Sequence, residues 1–560
     1  MASNNYIVKD TALRYVVPFT YEGEFDLACE KIEKQKYSTY ENKKAVEKSV
    51  WDRNVASAKN LEQDLYEYIK NEFLFDSNEE PLKPTKSGAS WKYQKYITNS
   101  KKDKAILKLR YYTDVIKKDV IELPEYWDVT LSDAGLYLFR NNIGFIWYEL
   151  SLPSDKTITS TDIKDFQYEI RELNRGTKLW NQTEDKECIE PFVLGMWVMS
   201  TLDLLKPSYF AQRKAHFKNL IKENLKLVAK VENASVNTEE RNLPDWDYAP
   251  DKALLFGFYN FSKDTMTKLK KSHMEELAYH LANGYKDSYQ YSGNDGTNMK
   301  RPNANVIWNA TQEGVSYLCF TDESNKSAFG NIKTKYKTDY FSLYIKTLYQ
   351  SYSLLQFAER IQNEIRIDNE NHYIENADDK IYQLYGAINL FLTKNMATSV
   401  SHIHNQSEFY IYLKERLRIH EDVKSITAGL NAMDALQRER RKVQDRENER
   451  ELIAKESERE EEQKRRDANI QAGVGLFAVL GIGSAALDMY EYVGKFWVYD
   501  TNNWGDVFLH PGLAFMEVIL NGLVLIVGGY AACYAFRAWV EAKKENKKKS
   551  QKDEKDNGLV

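Results

Sequence analysis

Two aromatic hairpins carry the residues best suited to chemistry. In "GLYLFRNNIGFIWYELSL" (Gly135 to Leu152), Arg140, Asn141 and Asn142 sit at the turn and Trp147 stands on the returning strand. In "NVIWNATQEGVSYLCF" (Asn305 to Phe320), Trp308 and Asn309 occupy the first strand. Bases stack on aromatic faces at about 1 to 3 kcal/mol each. An arginine beside side-chain amides adds contacts to phosphate and to base edges. Arg140, Asn141, Asn142, Trp147, Trp308 and Asn309 therefore form the candidate ligand-binding set, and a small nucleotide is the ligand class they suit. The competing role for the same rings is core packing, the usual fate of aromatics that alternate along a hairpin.

Catalytic signatures are absent from the sequence. It holds no GxxxxGKS loop, no HExxH, no GxSxG and no CxxC pair. His402 and His404 are two apart and point to different faces of a helix; His273 and His280 share a face but lack a third ligand. The chain reads as a non-enzyme without a covalent cofactor, and the residues name no metal ligands. Four scattered cysteines fit a reducing compartment. A net charge of -5 gives no global basic field for DNA or RNA.

The elements that must position these residues form a mixed α/β region over residues 1–375. "RYVVPF" (Arg14 to Phe19) predicts a first strand, and Glu41 to Phe73 a long helix. The hairpin around Asn141 and Asn142 follows. Ser160 or Thr161 then caps a helix running to Gly176. The second half repeats that order. "KALLFGFYNF" (Lys252 to Phe261) is a strand, a helix opens at Ser262 and stops near Gly284, a hairpin turns between Thr311 and Gly314, and "DYFSLYIKTLYQSYSLLQFAERI" (Asp339 to Ile361) is an aromatic helix. Strand, helix, hairpin, helix occurs twice, which predicts two related halves, 1–190 and 191–375.

Residues 376–467 predict a helical stalk. Beyond Gln437 it is nearly all charge, with acid-to-base pairs four apart at Glu451/Lys455, Glu460/Lys464, Glu461/Arg465 and Glu462/Arg466. It enters, without Pro or Gly, the uncharged run Ala468 to Leu487; a second run spans Val518 to Phe536. Each approaches the roughly 20 residues that a membrane helix needs. The expectation is a first transmembrane helix at 468–489, an external connector at 490–510, a second transmembrane helix at 511–537 and a basic tail at 538–560. Lys464, Arg465 and Arg466 before the first run and Arg537 after the second place both termini in the cytoplasm. Small residues in the first run favour a packed ring of copies over a lone anchor. Gln471 and Ser484 are then the candidate pore lining, and Asp488 and Glu491 the candidate cation-attracting mouth.

This order of parts resembles the CorA superfamily of two-helix cation channels: a large cytosolic α/β domain, a long stalk running into a membrane helix, a short connector, a second helix and a basic tail. Where that family carries Gly-Met-Asn, this chain reads "LDMYEYVGKF", with Met489 and Gly494. The sensor region and the Asp339 to Ile361 helix are similar to the divergent CorA-like effectors of type III CRISPR systems. The resemblance implies a homopentamer in the lipid bilayer of the bacterial inner membrane. It also implies a nucleotide second messenger such as an S-adenosylmethionine-AMP conjugate, a conducted divalent cation, and membrane disruption as antiviral defence. The alternatives are a constitutive magnesium transporter and a membrane-tethered scaffold without a pore.

Overall fold

The computed structural model describes residues 5–41, 44–54, 64–73, 87–95, 107–113, 125–173, 178–182, 189–214, 248–291, 299–323, 330–364, 377–397 and 399–496, with scattered positions between 519 and 544. The chain divides into two compact units, Met1–Asp434 and Ala435–Val560.

Among the described residues the first unit is built on a 14-stranded sheet. Ten of its strands form a continuous path: β1 (Ile7–Thr20), β2 (Leu107–Tyr112), β3 (Tyr126–Phe139), β4 (Ile143–Ser151), β5 (Leu179–Gln182), β6 (Ile189–Pro191), β7 (Leu254–Ser262), β8 (Met299–Asn303), β9 (Val306–Ala310) and β10 (Gly314–Thr321). Their spatial order is β6-β5-β2-β3-β4-β1-β7-β10-β9-β8. The sheet thus crosses from the first half of the chain to the second at β1 and β7, which pair antiparallel with Leu13 opposite Gly257. Both predicted hairpins are present, β3–β4 and β9–β10. The two halves differ in pairing sense. β4 runs antiparallel to β1, with Tyr15 opposite Tyr148, whereas β10 runs parallel to β7, with Tyr317 beside Phe258.

Alternation along the central strands makes two apolar faces. On one, Leu13, Tyr15, Tyr148 and Leu255 pack with α1 (Phe25–Lys34), α2 (Ser160–Ile170) and α3 (Lys271–Asn283), through Phe25, Phe166 and Leu281. On the other, Ala12, Val16, Trp147, Phe256 and Tyr317 meet α4 (Phe341–Glu364), α5 (Ala377–Asn395) and α6 (His404–Arg416), through Tyr344, Leu384 and Phe409. Thr159, one residue before the predicted caps, starts α2 in a reciprocal capping box with Asp162. Gly284 ends α3 at φ +61°, in the left-handed region that glycine tolerates.

The long helix predicted over Glu41 to Phe73 does not form. Lys36–Glu41 and Lys44–Ser49 pair as a hairpin, Trp51–Arg53 joins the large sheet, and among the described residues of that span only Glu67–Phe73 forms an α-helix. The alternating "KYSTYE" and the burial of Val50 and Trp51 outweigh the helical charge spacing. The stalk predicted over residues 376–467 is helical but broken. α6 stops at Arg416, Arg418 takes φ 55°, and α7 (Ile419–Phe496) begins. Within the second unit the pairs Glu451/Lys455 and Glu460/Lys464 form at 3.7 and 3.8 Å.

The membrane expectation is corrected. Among the described residues no helix is long and apolar enough to cross a membrane, which overturns the fold of two transmembrane helices and, with it, the inner-membrane placement and the ion-channel description. The first run is helical, as part of α7. Its 20 residues are uncharged, with Asn469, Gln471 and Ser484 polar and Gly473, Gly475, Gly481 and Gly483 adding no side chain. The connector beyond Phe496 and eight of the 19 positions from Val518 to Phe536 lie outside the described residues.

Candidate functional site

The arrangement with the most chemical content lies where the sheet meets α4. A π-helical turn, Tyr336–Tyr340, leads directly into that helix. Opposite it, the pairing of β3 with β4 shifts register between Leu131 and Asp133, a β-bulge. Both irregularities recur at functional sites because each re-aims side chains that a regular element would place elsewhere. Here they converge on two cations and two carboxylates.

Arg14 of β1 and Glu149 of β4 project from the sheet on the side of Val16 and Trp147, and they are 6% and 2% exposed. Arg14 Nε donates to Glu149 Oε2 at 2.9 Å. Arg14 Nη1 donates to the Lys337 carbonyl in the π-turn, and Lys337 Nζ donates to Glu149 Oε1. Ser132 in the bulge donates to the Glu149 carbonyl at 3.3 Å and receives from Ser151 at 2.9 Å. Asp133 stands 3.9 Å from Arg14 Nη2. The guanidinium lies between two rings, 4.4 Å from the centre of Trp147 and 4.5 Å from that of Phe341. Gly135 makes room for this stack, since a Cβ there would meet Trp147 Nε1 at 2.5 Å and the Trp91 carbonyl at 2.7 Å.

The electrostatics separate the two acids. Burial pushes the Glu149 carboxyl up, but Arg14 and Lys337 together outweigh it and hold the group below the usual carboxylate range. Burial also pushes Asp133 up, and there it prevails over the pull of Arg14 and Lys92. Glu149 is thus the fixed anion of the cluster. With both oxygens engaged by cations, it is a poor general base and a good tie between β4 and the π-turn.

The tie continues into the helices. Gln406 of α6 donates to Asp339 of the π-turn at 2.7 Å, and Ser401 bonds Gln406 in turn. Tyr412 of α6 donates its hydroxyl toward the Trp308 carbonyl at 3.4 Å and accepts from the Ala310 amide at 2.8 Å. The turn at Leu417 and Arg418 then leads into α7.

The six residues proposed for ligand binding do not share one face. Arg140 pairs with Asp26 at 3.2 Å and covers the Phe25 ring. Asn141 donates to Ser353 of α4 at 2.7 Å. Asn142, at φ 64°, shapes the hairpin turn and donates to the carbonyls of Tyr21 and Gly23. Trp147 stacks on Arg14 rather than on a base. Trp308 is buried among Tyr317, Tyr340, Phe409 and Tyr412, and Asn309 is buried beside it. In the second unit Gln471, Ser484, Asp488 and Glu491 all lie exposed on α7, with Ser484 Oγ donating to the Gly481 carbonyl at 3.2 Å. Among the described residues no group of three His, Cys, Asp or Glu is placed to hold a metal ion.

Sequence reasoning missed Arg14, Glu149 and Lys337. The first two had a visible signal: each is the lone charge in a largely apolar run, "LRYVVPF" and "IGFIWYELS". A charge held at a buried strand position needs a partner across the fold.

No family model, no curated protein and no solved structure matches the chain. None of these comparisons supports the CorA-like resemblance, and two of the parts it rests on, the membrane spans, are corrected above.

Proposed function

We propose that the chain is a homo-oligomeric, ligand-responsive effector without catalytic activity, in which the α/β unit binds a small nucleotide-like ligand and passes its state to the base of α7. The observation that carries this reading is the Arg14–Glu149–Lys337 cluster. It joins the centre of the sheet to a π-turn, and the π-turn to α6, which leads into α7. A ligand can bias such a cluster where it binds the paired arrangement and a broken one with different affinity. A pore would need the two spans, which no helix among the described residues supplies.

Self-association is supported by the uncharged stretch of α7. Ile470, Phe477, Leu480 and Leu487 are 62%, 77%, 60% and 70% exposed on the single chain. Ile470 to Phe477 and Leu480 to Leu487 are each one heptad, and Phe477 to Leu480 is three residues. This is the a/d spacing of a helix seam that pairs with copies of itself. Light scattering on the purified full chain tests it: an oligomer is expected, converted to monomer by Phe477→Asp with Leu480→Asp. A wild-type monomer at micromolar concentration would falsify the oligomeric reading. Hydrogen exchange tests the coupling. Glu149→Gln should speed exchange in α6 and the first turns of α7, and unchanged protection there refutes the route through the cluster.

A further inference from the structure

Past Gly284 the chain forms a strap, residues 286–291, that is tied to α2. Lys164 of α2 donates to one carboxylate oxygen of Asp287, and Thr161 donates to the other at 2.8 Å. Lys286 donates to Glu169 at 2.9 Å and lies 4.5 Å from the Tyr168 ring centre. Tyr285 is the fixed end, hydrogen-bonded to Glu313 and covered by Arg171 at 5.5 Å. Beside these ties, in the last turn of α3, sits His280, 1% exposed. Its imidazole bonds the Tyr289 backbone, while Nε2 is buried without a hydrogen-bond partner. The neutral ring therefore carries its proton on Nδ1 and leaves an unused lone pair on Nε2.

Protonation turns that lone pair into a charged donor with nothing placed to receive it. Lys164 is a like charge beside the ring, and Asp287, the carboxylate that acts on it, is already held by Lys164 and Thr161. Burial first and Lys164 second hold the His280 pKa at about 4. The other elements packed against α3 do not relieve the charge. α2 adds Asp165, whose carboxyl burial pushes up, and the strap adds Lys286. β7 adds Tyr259, and β8 adds Arg301, which donates to the Ala304 carbonyl at 2.7 Å. β9 and β10 carry no charged side chain, and α3 itself adds His273 and Glu276. Water reaches a buried ion most cheaply where the least packing is lost. Here that is the strap, since Asp287 and Tyr289 are exposed while Leu277 and Leu281 of α3 are buried against the sheet. We infer that the strap is an acid-operated latch: proton uptake by His280 releases residues 286–291 from α2 while the sheet beneath α3 stays folded. The closed latch disfavours the proton, so it is shut above pH 6.5 and opens progressively as the pH falls toward 4. It makes one contact between the two halves of the chain sensitive to pH, and it does not rest on the ligand-responsive reading.

Hydrogen exchange on the full chain at about pH 6.5 and 4.5, corrected for the intrinsic pH dependence of exchange, tests it. Amides of the strap should exchange at least about tenfold faster at the lower pH, while β1 and β4 keep their protection. In His280→Gln that acceleration should shrink to within about threefold. Asp165→Asn, at an exposed position, should keep the full acceleration. Unchanged strap protection in the wild type overturns the latch, and so does loss of protection in β1 and β4 at the same pH, which is global unfolding. A full acceleration in His280→Gln, or its loss in Asp165→Asn, overturns His280 as the trigger. The second variant decides the matter even where His280→Gln does not fold.

Discussion

Replacing Glu149 by glutamine removes one charge and almost no volume, so it isolates the electrostatic role of the buried cluster. At 2.9 Å the Arg14–Glu149 attraction is roughly 6 kcal/mol for an effective dielectric of about 20, before desolvation is subtracted. Losing one partner of such a pair costs about 3 to 5 kcal/mol, because the other is left charged and dry. Two features lower that range. The Lys337 side chain is 29% exposed and can turn to water, and Arg14 keeps the Lys337 carbonyl, the faces of Trp147 and Phe341, and Asp133 at 3.9 Å. The expected loss for Glu149→Gln is therefore about 3 kcal/mol. Replacing both partners, Arg14→Leu with Glu149→Leu, leaves neither charge buried and should come within about 1 kcal/mol of wild type. Urea unfolding followed by tryptophan fluorescence and far-UV circular dichroism gives both numbers, provided the two transitions coincide. A loss below about 1 kcal/mol for Glu149→Gln would mean that the cluster is screened by water. A double variant as unstable as the sum of its singles would mean that the pair does not interact, and either result refutes the reasoning.

Three further outcomes follow from other contacts. Burial first and Lys164 second push the His280 pKa from its ordinary 6.5 down to about 4. The folded state thus binds its proton less readily than the unfolded state; stability is intact above pH 6.5 and falls as the pH drops toward 4, by roughly 2 kcal/mol after discounting for solvent screening. His280→Gln should flatten the unfolding midpoint over that window, and an unchanged profile would assign the slope to other groups. Gly135→Ala should cost about 1 to 3 kcal/mol in urea, because its Cβ displaces Trp147 from the Arg14 stack, and a neutral result would show that the indole has room to move. Tyr259→Phe removes a hydroxyl that donates to the Leu281 carbonyl at 3.2 Å and is bonded by Gln167. A loss of about 1 to 2 kcal/mol is expected from the unsatisfied Gln167 and Leu281 groups, and no measurable change would mean that water replaces the hydroxyl.

The hairpins were legible because their signal is local. Alternating aromatics flank Asn141 and Asn142, and Asn142 takes the left-handed conformation that such a turn requires. The hairpin at Thr311 to Gly314 and the stop at Gly284 were readable for the same reason. Partners chosen by the tertiary fold were not. Helical charge spacing over Glu41 to Phe73 could not reveal that Tyr37 faces Lys48 across a hairpin or that Trp51 pairs with Tyr93. The apparent duplication shows this limit most clearly: the element order recurs, yet β4 meets β1 antiparallel while β10 meets β7 parallel. Element order is written along the chain, whereas pairing sense is settled by the path each connection takes over the sheet.

The candidate site was hidden for a related reason, and its residues indicate where to look in chains of this kind. Recognition chemistry in the sequence is richest at the tryptophans and the turn amides. The fold spends Trp147 on Arg14, Trp308 on Phe409 and Asn141 on Ser353. What remains chemically unusual are single charges at positions that the apolar pattern assigns to the interior: Arg14 and Glu149 on strands, Lys346 in "SLYIKTLYQ" on a helix. An exposed charge carries little information, because water solvates it at almost no cost. A charge inside an apolar run must be met by a partner from elsewhere in the fold or by a ligand. For Arg14 the partner is Glu149. For Lys414 the face of the Tyr410 ring, 5.3 Å from the ammonium, offsets part of the desolvation.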